Sequence, residues 1–308
     1  MTILITLAAA IILCIAITLY CYRITFFSPD KTQENIYNIP TDEQYQEQRD
    51  VMANMIREMA EIPFQWISIR SRSGLTLYAR YYHRSDDAPL AICFHGYRST
   101  SIRDFCGGAR LASDQGHNVL LIDQRAHGKS EGHTITFGIR ERMDCLDWIH
   151  WGIERFGQNV PILLYGISMG GATVLMAAGE DIPANVRGIV ADSPYSSPYE
   201  IIQKVCRDQH YPPTLTMPFI AAAARIFGRF SLTERTAADA VRNATVPIMI
   251  IHGEDDRFVP CSMSADIQAA NPAIRRYTFP EAGHGISYMK DMPRYHRLVK
   301  AFWAEVLQ

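Results

Sequence analysis

The sequence predicts an α/β domain with a mainly parallel, eight-stranded sheet, helices on both faces of that sheet, and a transmembrane helix ahead of it. Three observations carry this. Residues 1–22 contain no charged side chain. From Pro63 onward, short apolar or β-branched runs alternate with helical segments, the pattern of a mainly parallel sheet. One interval of about 55 residues between two such runs is too long for a loop and reads as a helical insertion.

The N-terminal run comes first. At 1.5 Å per residue it makes a helix of roughly 33 Å, enough for a hydrocarbon core of about 30 Å. No basic side chain precedes it, Ala8-Ala9-Ala10 comes too early for a cleavage site, and Ala16-Ile17-Thr18 is followed by bulky Leu19 and Tyr20. An uncleaved anchor over residues 1–22 is therefore expected rather than a signal peptide. Tyr20, Tyr22, Phe26 and Phe27 cluster beside Arg23 as an interfacial belt would. Arg23 and Lys31 follow the span, and the seven cysteines are an odd number without paired spacing. Both features favour a cell-membrane, single-pass protein with its catalytic domain on the cytoplasmic side.

Residues 23–62 read as a juxtamembrane spacer and helix. The stretch 30–40 is mostly polar and ends in Pro40. Thr41-x-x-Gln44 then has the form of a capping box, and Met52, Met55, Ile56 and Met59 share one helical face, which predicts a helix at about 41–60. With eight acidic and three basic groups, residues 30–62 read as a solvated face, and the methionine stripe as a docking surface.

The domain proper is expected over 63–308. Residues 66–70 and 75–82 flank a Ser71-Arg72-Ser73-Gly74 turn as an opening hairpin; further strands are expected at 90–94, 118–122, 162–165, 188–191, 247–251 and 275–279. Most suit strands buried on both faces. Helices fall at about 139–156 and 172–178, and a helical cap at about 194–245, whose apolar stretch 217–227 is expected to face the reacting site. Phe219 and Ile226 are its expected contacts.

Composition narrows the chemistry. The 308 residues are 48% hydrophobic and 20% charged, which excludes disordered and collagen-like classes. Thirty basic against 32 acidic residues leave no excess charge for a phosphate backbone, so nucleic acid is not an expected partner. No C-x-x-C pair and no nucleotide-binding pattern occurs, and no cofactor or metal is expected. Oligomeric state is not legible in the chain.

Gly166-Ile167-Ser168-Met169-Gly170 follows a strand and opens a helix, the context a G-x-S-x-G nucleophile turn requires. Chance would supply three such fixed residues roughly 0.1 times in a chain this long. The turn is so tight that β-carbons at Gly166 or Gly170 would meet backbone, while Ser168 is thrust outward on a strained conformation. A serine hydroxyl needs a base and a group to orient that base. Among ten histidines, His284 lies in a loop after the last strand and before the final helix, where it can reach across the strand ends. His133 and His210 are runners-up. His95, His127 and His252 sit in His-Gly turns and, with His83, His117, His150 and His296, are expected to be structural. Asp255 and Asp256 follow the strand at 247–251 and are the candidate carboxylates.

These motifs resemble the serine hydrolases of the α/β-hydrolase fold, close to the serine-aminopeptidase-like branch, from about Trp66 to the C-terminus. The resemblance places that family's His-Gly-x-x-Asp-x-x-Val-Pro pattern on His252, Gly253, Asp256, Val259 and Pro260, so it selects Asp256. Chain order Ser168, Asp256, His284 is the order that fold uses. It also implies an oxyanion hole from the backbone N–H groups of Met169 and of Tyr97, which follows His95-Gly96. Asp123-x-Arg125-x-His127-Gly128-x-Ser130 is similar to a family loop with Ala126 in place of a glycine, and is expected to be structural. Ser73-Gly74 stands where many relatives have Asp-Gly, an exchange expected to be neutral.

The expected function is a membrane-anchored serine hydrolase that cleaves an ester or thioester, of a lipid-like acyl group, through an acyl-enzyme. The partners implied are that small-molecule or lipid acyl substrate and the membrane itself. The alternatives are a peptidase of serine-aminopeptidase type and a non-catalytic binding protein, which an incomplete triad would favour. A dehalogenase would want an acidic residue at position 168.

Overall fold

The computed structural model describes residues 1–29, 36–37 and 39–308. Most of the spacer expected at 30–40, including Lys31, lies outside the described residues. In chain order, helices α1 (Thr2–Thr25), α2 (Glu43–Gln46) and α3 (Arg49–Glu61) precede strands β1 (Gln65–Arg70), β2 (Thr76–Tyr82) and β3 (Leu90–Phe94). Then come α4 (Ser101–Phe105), α5 (Gly108–Asp114), β4 (Asn118–Asp123), α6 (Glu141–Phe156), β5 (Ile162–Ile167), α7 (Met169–Ala177) and β6 (Val186–Asp192). The chain continues through α8 (Pro198–Asp208), α9 (Pro213–Ile226), α10 (Ala237–Val241), β7 (Ile248–Gly253), α11 (Cys261–Ala270), β8 (Arg275–Phe279), α12 (Ser287–Lys290) and α13 (Met292–Val306).

Among the described residues, eight strands form one sheet in the order β1-β2-β4-β3-β5-β6-β7-β8. The opening pair and the β2–β4 contact are antiparallel, and every other contact is parallel. Residues of β3 alternate between the two cores. Leu90, Ile92 and Phe94 pack with α6 and α7, whereas Ala91 and Cys93 pack with α3, α4, α5 and α13. This double burial is why these strands are continuously apolar in sequence. Because β4 and β5 leave β3 on opposite sides, a crevice opens at the carboxyl ends of β3 and β5, the usual ligand position in an open α/β sheet.

Two expectations at the N-terminal end are corrected. The apolar helix does not stop at residue 22 but runs to Thr25, and its last turns belong to the domain. Thr18, Cys21 and Phe26 are buried there, with Phe26 set edge-on to Phe137 and Phe230. Tyr22 lies against Phe227 at the end of α9 and shares a 2.7 Å hydrogen bond with Thr134. The boundary expected between an anchor at 1–22 and a spacer from 23 therefore falls inside one packed element. The capping box at Thr41 does not form either: Asp42 is the N-cap and makes no side-chain capping bond, and the helix is broken between Gln46 and Arg49. Gln44 is used elsewhere. The stripe itself docks as expected, with Met52, Ile56 and Met59 buried against the sheet.

Candidate active site

The turn after β5 holds Ser168 at φ 54° and ψ −115°, a conformation that side chains other than glycine rarely adopt. It is fixed from both sides. A β-carbon on Gly170 would overlap the Phe94 carbonyl oxygen, and one on Gly166 would overlap the Gly170 carbonyl. The Ser168 N–H donates to the Asp192 carbonyl at 2.8 Å, and the Ala172 N–H donates to the Ser168 carbonyl at 2.9 Å.

Beyond β7, Asp256 is buried and its Oδ1 accepts from the N–H groups of Phe258 at 2.9 Å and Val259 at 2.7 Å. Oδ2 lies 2.7 Å from Nδ1 of His284 and 3.2 Å from Nε2 of His252. Burial alone would raise this carboxyl, but the two imidazoles outweigh it and hold Asp256 well below the usual carboxylate range. Burial likewise works against a charged His284, yet the Asp256 carboxylate lifts its pKa above the ordinary 6.5. With Nδ1–H committed to Asp256, the basic nitrogen of His284 is Nε2. Ser168 and His284 line one cavity of about 230 Å³, together with Gln44, Tyr45, Arg103 and Asp104. Asp255, the alternative carboxylate, is exposed, and its N–H is bonded to the Ala282 carbonyl.

The loop after β3 is held by groups that motif reading left as structural or missed. Asp104 is the missed one: its carboxylate accepts from the Gly96 N–H at 2.7 Å, from the Ser99 hydroxyl, and from Arg103 Nε at 3.1 Å. His127 Nε2 accepts from the Arg98 N–H at 3.0 Å while its Nδ1 donates to the Arg125 carbonyl. His95 is used the same way, donating from Nδ1 to the Gly96 carbonyl and accepting at Nε2 from the Gln124 N–H; burial keeps it neutral. Between the committed N–H groups of Gly96 and Arg98, that of Tyr97 has no acceptor among the described residues. Met169 is the first residue of α7, where an N–H has no intrahelical acceptor.

Arg125 makes two 2.6 Å bonds to Asp144, and Asp123 accepts from Arg80, Ser101 and the Lys129 N–H, so this loop is a buried brace. Ala126 stands at φ 64°, which explains why a glycine suits that position. His133 stacks on Phe27, and His210 lies just past the end of α8; among the described residues, neither lines either of the two cavities that Ser168 borders. Sequence reasoning missed Gln44, whose Oε1 accepts the His284 N–H at 3.0 Å, and Ser193, whose hydroxyl accepts the Gly285 N–H at 3.3 Å. It also missed the bond of His252 to the carboxylate. Because His252 Nε2 also faces the Val259 carbonyl at 2.9 Å, that nitrogen carries the proton.

Ser168 borders a second, apolar cavity of about 330 Å³ on its other side. The cap supplies Ile202, Cys206, Thr216 and Ile220, and α1 supplies Ile17, Cys21 and Ile24. The expected cap contacts are corrected: Phe219 packs into the core, and Ile226 is 64% exposed on the outside of α9. Thr216 and Ile220 hold the inner face of that helix because they lie four residues apart.

A family model described as alpha/beta hydrolase fold matches residues 89–229. The Pyrococcus furiosus esterase PF2001 superposes with a TM-score of 0.68 at 18% identity, over 91% of this chain and 98% of the esterase. This chain has the α/β-hydrolase fold. Est1E from Butyrivibrio proteoclasticus, solved with ferulic acid bound, shares the hydrolase fold at a TM-score of 0.61 and 22% identity, over 78% of this chain and 99% of Est1E. Among sequence relatives, Bacillus subtilis YqkD is 24% identical over 302 residues, 97% of this chain and 96% of YqkD. The lysophosphatidylserine lipase ABHD12 of Danio rerio is 26% identical over 195 residues, 59% of this chain and 47% of the lipase, so the match spans about half of that relative.

Proposed function

We propose that the protein is a membrane-anchored serine hydrolase that cleaves an ester or thioester of a lipid-like acyl group through an acyl-enzyme. The observation that carries this reading is the position of Ser168, on a strained turn between the His284–Asp256 cavity and an apolar one. In the first step Ser168 Oγ attacks the acyl carbonyl carbon while His284 Nε2 takes the hydroxyl proton. Asp256 holds the imidazole in the required tautomer and stabilises the imidazolium. The oxyanion accepts from the N–H groups of Tyr97 and Met169, preorganised by the Asp104 brace and by the start of α7. Collapse expels the alcohol or thiol with the proton on His284 Nε2, and water then repeats the sequence on the acyl-enzyme.

The lipid-like acyl group rests on the apolar walls and on the named substrate class of the Danio rerio relative. Anchoring rests on α1, whose apolar window is long enough to cross a bilayer and is almost wholly unburied. Arg23 and the free thiols favour a cytoplasmic active site. Purified full-length protein in detergent should react with a fluorophosphonate probe, and Ser168→Ala should lose that reaction completely. Labelling that persists in Ser168→Ala would assign the nucleophile to another residue.

A further inference from the structure

The end of α1 is built into the reaction site. The Tyr97 hydroxyl donates to the Thr25 carbonyl at 2.8 Å, and Arg98 donates to the carbonyls of Ile24 at 2.9 Å and Phe27 at 3.2 Å. These bonds satisfy carbonyls that a helix C-terminus leaves without partners, and they place a cation where the helix dipole favours one. The loop that carries the Tyr97 N–H is thus tied to the last turn of the apolar helix. One side of that helix, at Ile17, Cys21 and Ile24, closes the apolar cavity, whose far wall is Ile202, Cys206 and Ile220. Its other side stays apolar and uncovered at Leu19, as do Leu215 and Ile226 on the neighbouring α9.

We infer that the membrane helix is a wall of the acyl-binding site, and that the substrate is an ester of an acyl chain of about ten carbons. The inference rests on Ser168 being the acylated residue and adds which part of the chain sets acyl specificity. The size follows from volume. At about 30 Å³ for a water-sized group, close to one methylene, a cavity of about 330 Å³ takes roughly eleven such groups. Burying each methylene there favours the longer chain about fourfold (~0.8 kcal/mol), so selectivity for long chains follows from the apolar walls alone. A helix that served only as a tether would have no reason to present Cys21 and Ile24 to a cavity bordered by the nucleophile.

The test uses full-length protein in detergent and p-nitrophenyl esters from acetate to dodecanoate, with active sites counted by a short-chain fluorophosphonate. Wild type should show kcat/KM rising with chain length up to about ten to twelve carbons. Cys21→Trp and Ile24→Trp fill the cavity from the α1 side and should each lower the dodecanoate-to-acetate ratio of kcat/KM at least tenfold. Leu4→Trp, on the free part of α1, should leave the ratio within twofold. A wild type that prefers acetate, or tryptophan variants that label fully and keep the wild-type ratio, overturns the inference. Failure of wild type to label, or labelling that survives Ser168→Ala, overturns the nucleophile assignment instead, so the two failures are distinguishable.

Discussion

Replacing His284 with alanine is expected to lower kcat/KM for a p-nitrophenyl ester by roughly 10⁴-fold or more, because the serine then loses both its base and the acid that protonates the leaving group. Asp256→Asn should approach the same loss, since the amide cannot hold His284 with its proton on Nδ1 as a carboxylate does. Asp255→Asn should stay within about threefold of wild type, because that side chain is exposed and only its backbone N–H is engaged. The pH profile gives an independent reading. The proposed mechanism needs neutral His284, and Asp256 raises the pKa of that imidazole above 6.5, so activity is expected to fall as pH drops through a value above 6.5. Removing the carboxylate in Asp256→Asn should move this acid limb to lower pH. A profile that is unchanged in Asp256→Asn would separate the carboxylate from the base.

The largest expected effect on folding is at Gly170. Its missing β-carbon is what lets α7 approach β3, with the Phe94 carbonyl oxygen occupying the space. Gly170→Ala should cost more than about 4 kcal/mol or yield no folded protein, since both contacting groups are backbone and neither can rotate away. Gly157→Ala makes the comparison. Its φ of 96° disfavours a side chain, but none of the described residues comes within 4 Å of the added carbon, so a penalty of about 1–2 kcal/mol is expected. Thermal unfolding of the two variants beside wild type checks the contrast. Similar melting temperatures would mean that α7 can shift.

The strands were legible because burial on both faces forces runs such as Leu90–Phe94 and residues 119–122 to be apolar throughout. The tight turn around Ser168 was legible for a related reason, since only glycine fits where Gly166 and Gly170 stand. What failed to show was pairing across long sequence separations. Gln44 reads locally as part of a capping box, yet its partner is the His284 N–H, 240 residues away. Ser193 sits in a short polar loop, and only the folded chain brings it to Gly285, 92 residues away; Asp104, in the short helix α4, is close to Gly96 in sequence, but that spacing matches no motif. The docking of α1 was hidden for a physical reason: a charge-free helix has the same sequence whether lipid or protein covers it. Cys21 therefore looks like any other residue of an anchor, and Ile24 like the start of a spacer. On α9 the apolar stretch was correctly located, but an almost uniformly apolar helix does not disclose which face turns inward, so Ile220 lines the cavity and Ile226 does not.

The most direct measurement of the central claim is the acyl-enzyme itself. Full-length protein mixed with a p-nitrophenyl ester should be quenched in acid within the first turnover, digested and analysed by mass spectrometry. The account predicts one acyl group on the peptide that contains Ser168, none in Ser168→Ala, and an adduct that persists longer in His284→Ala relative to its rate of formation, since deacylation uses the same base. An adduct on a different residue, or wild-type turnover at full rate with no trappable acyl group on Ser168, would contradict it.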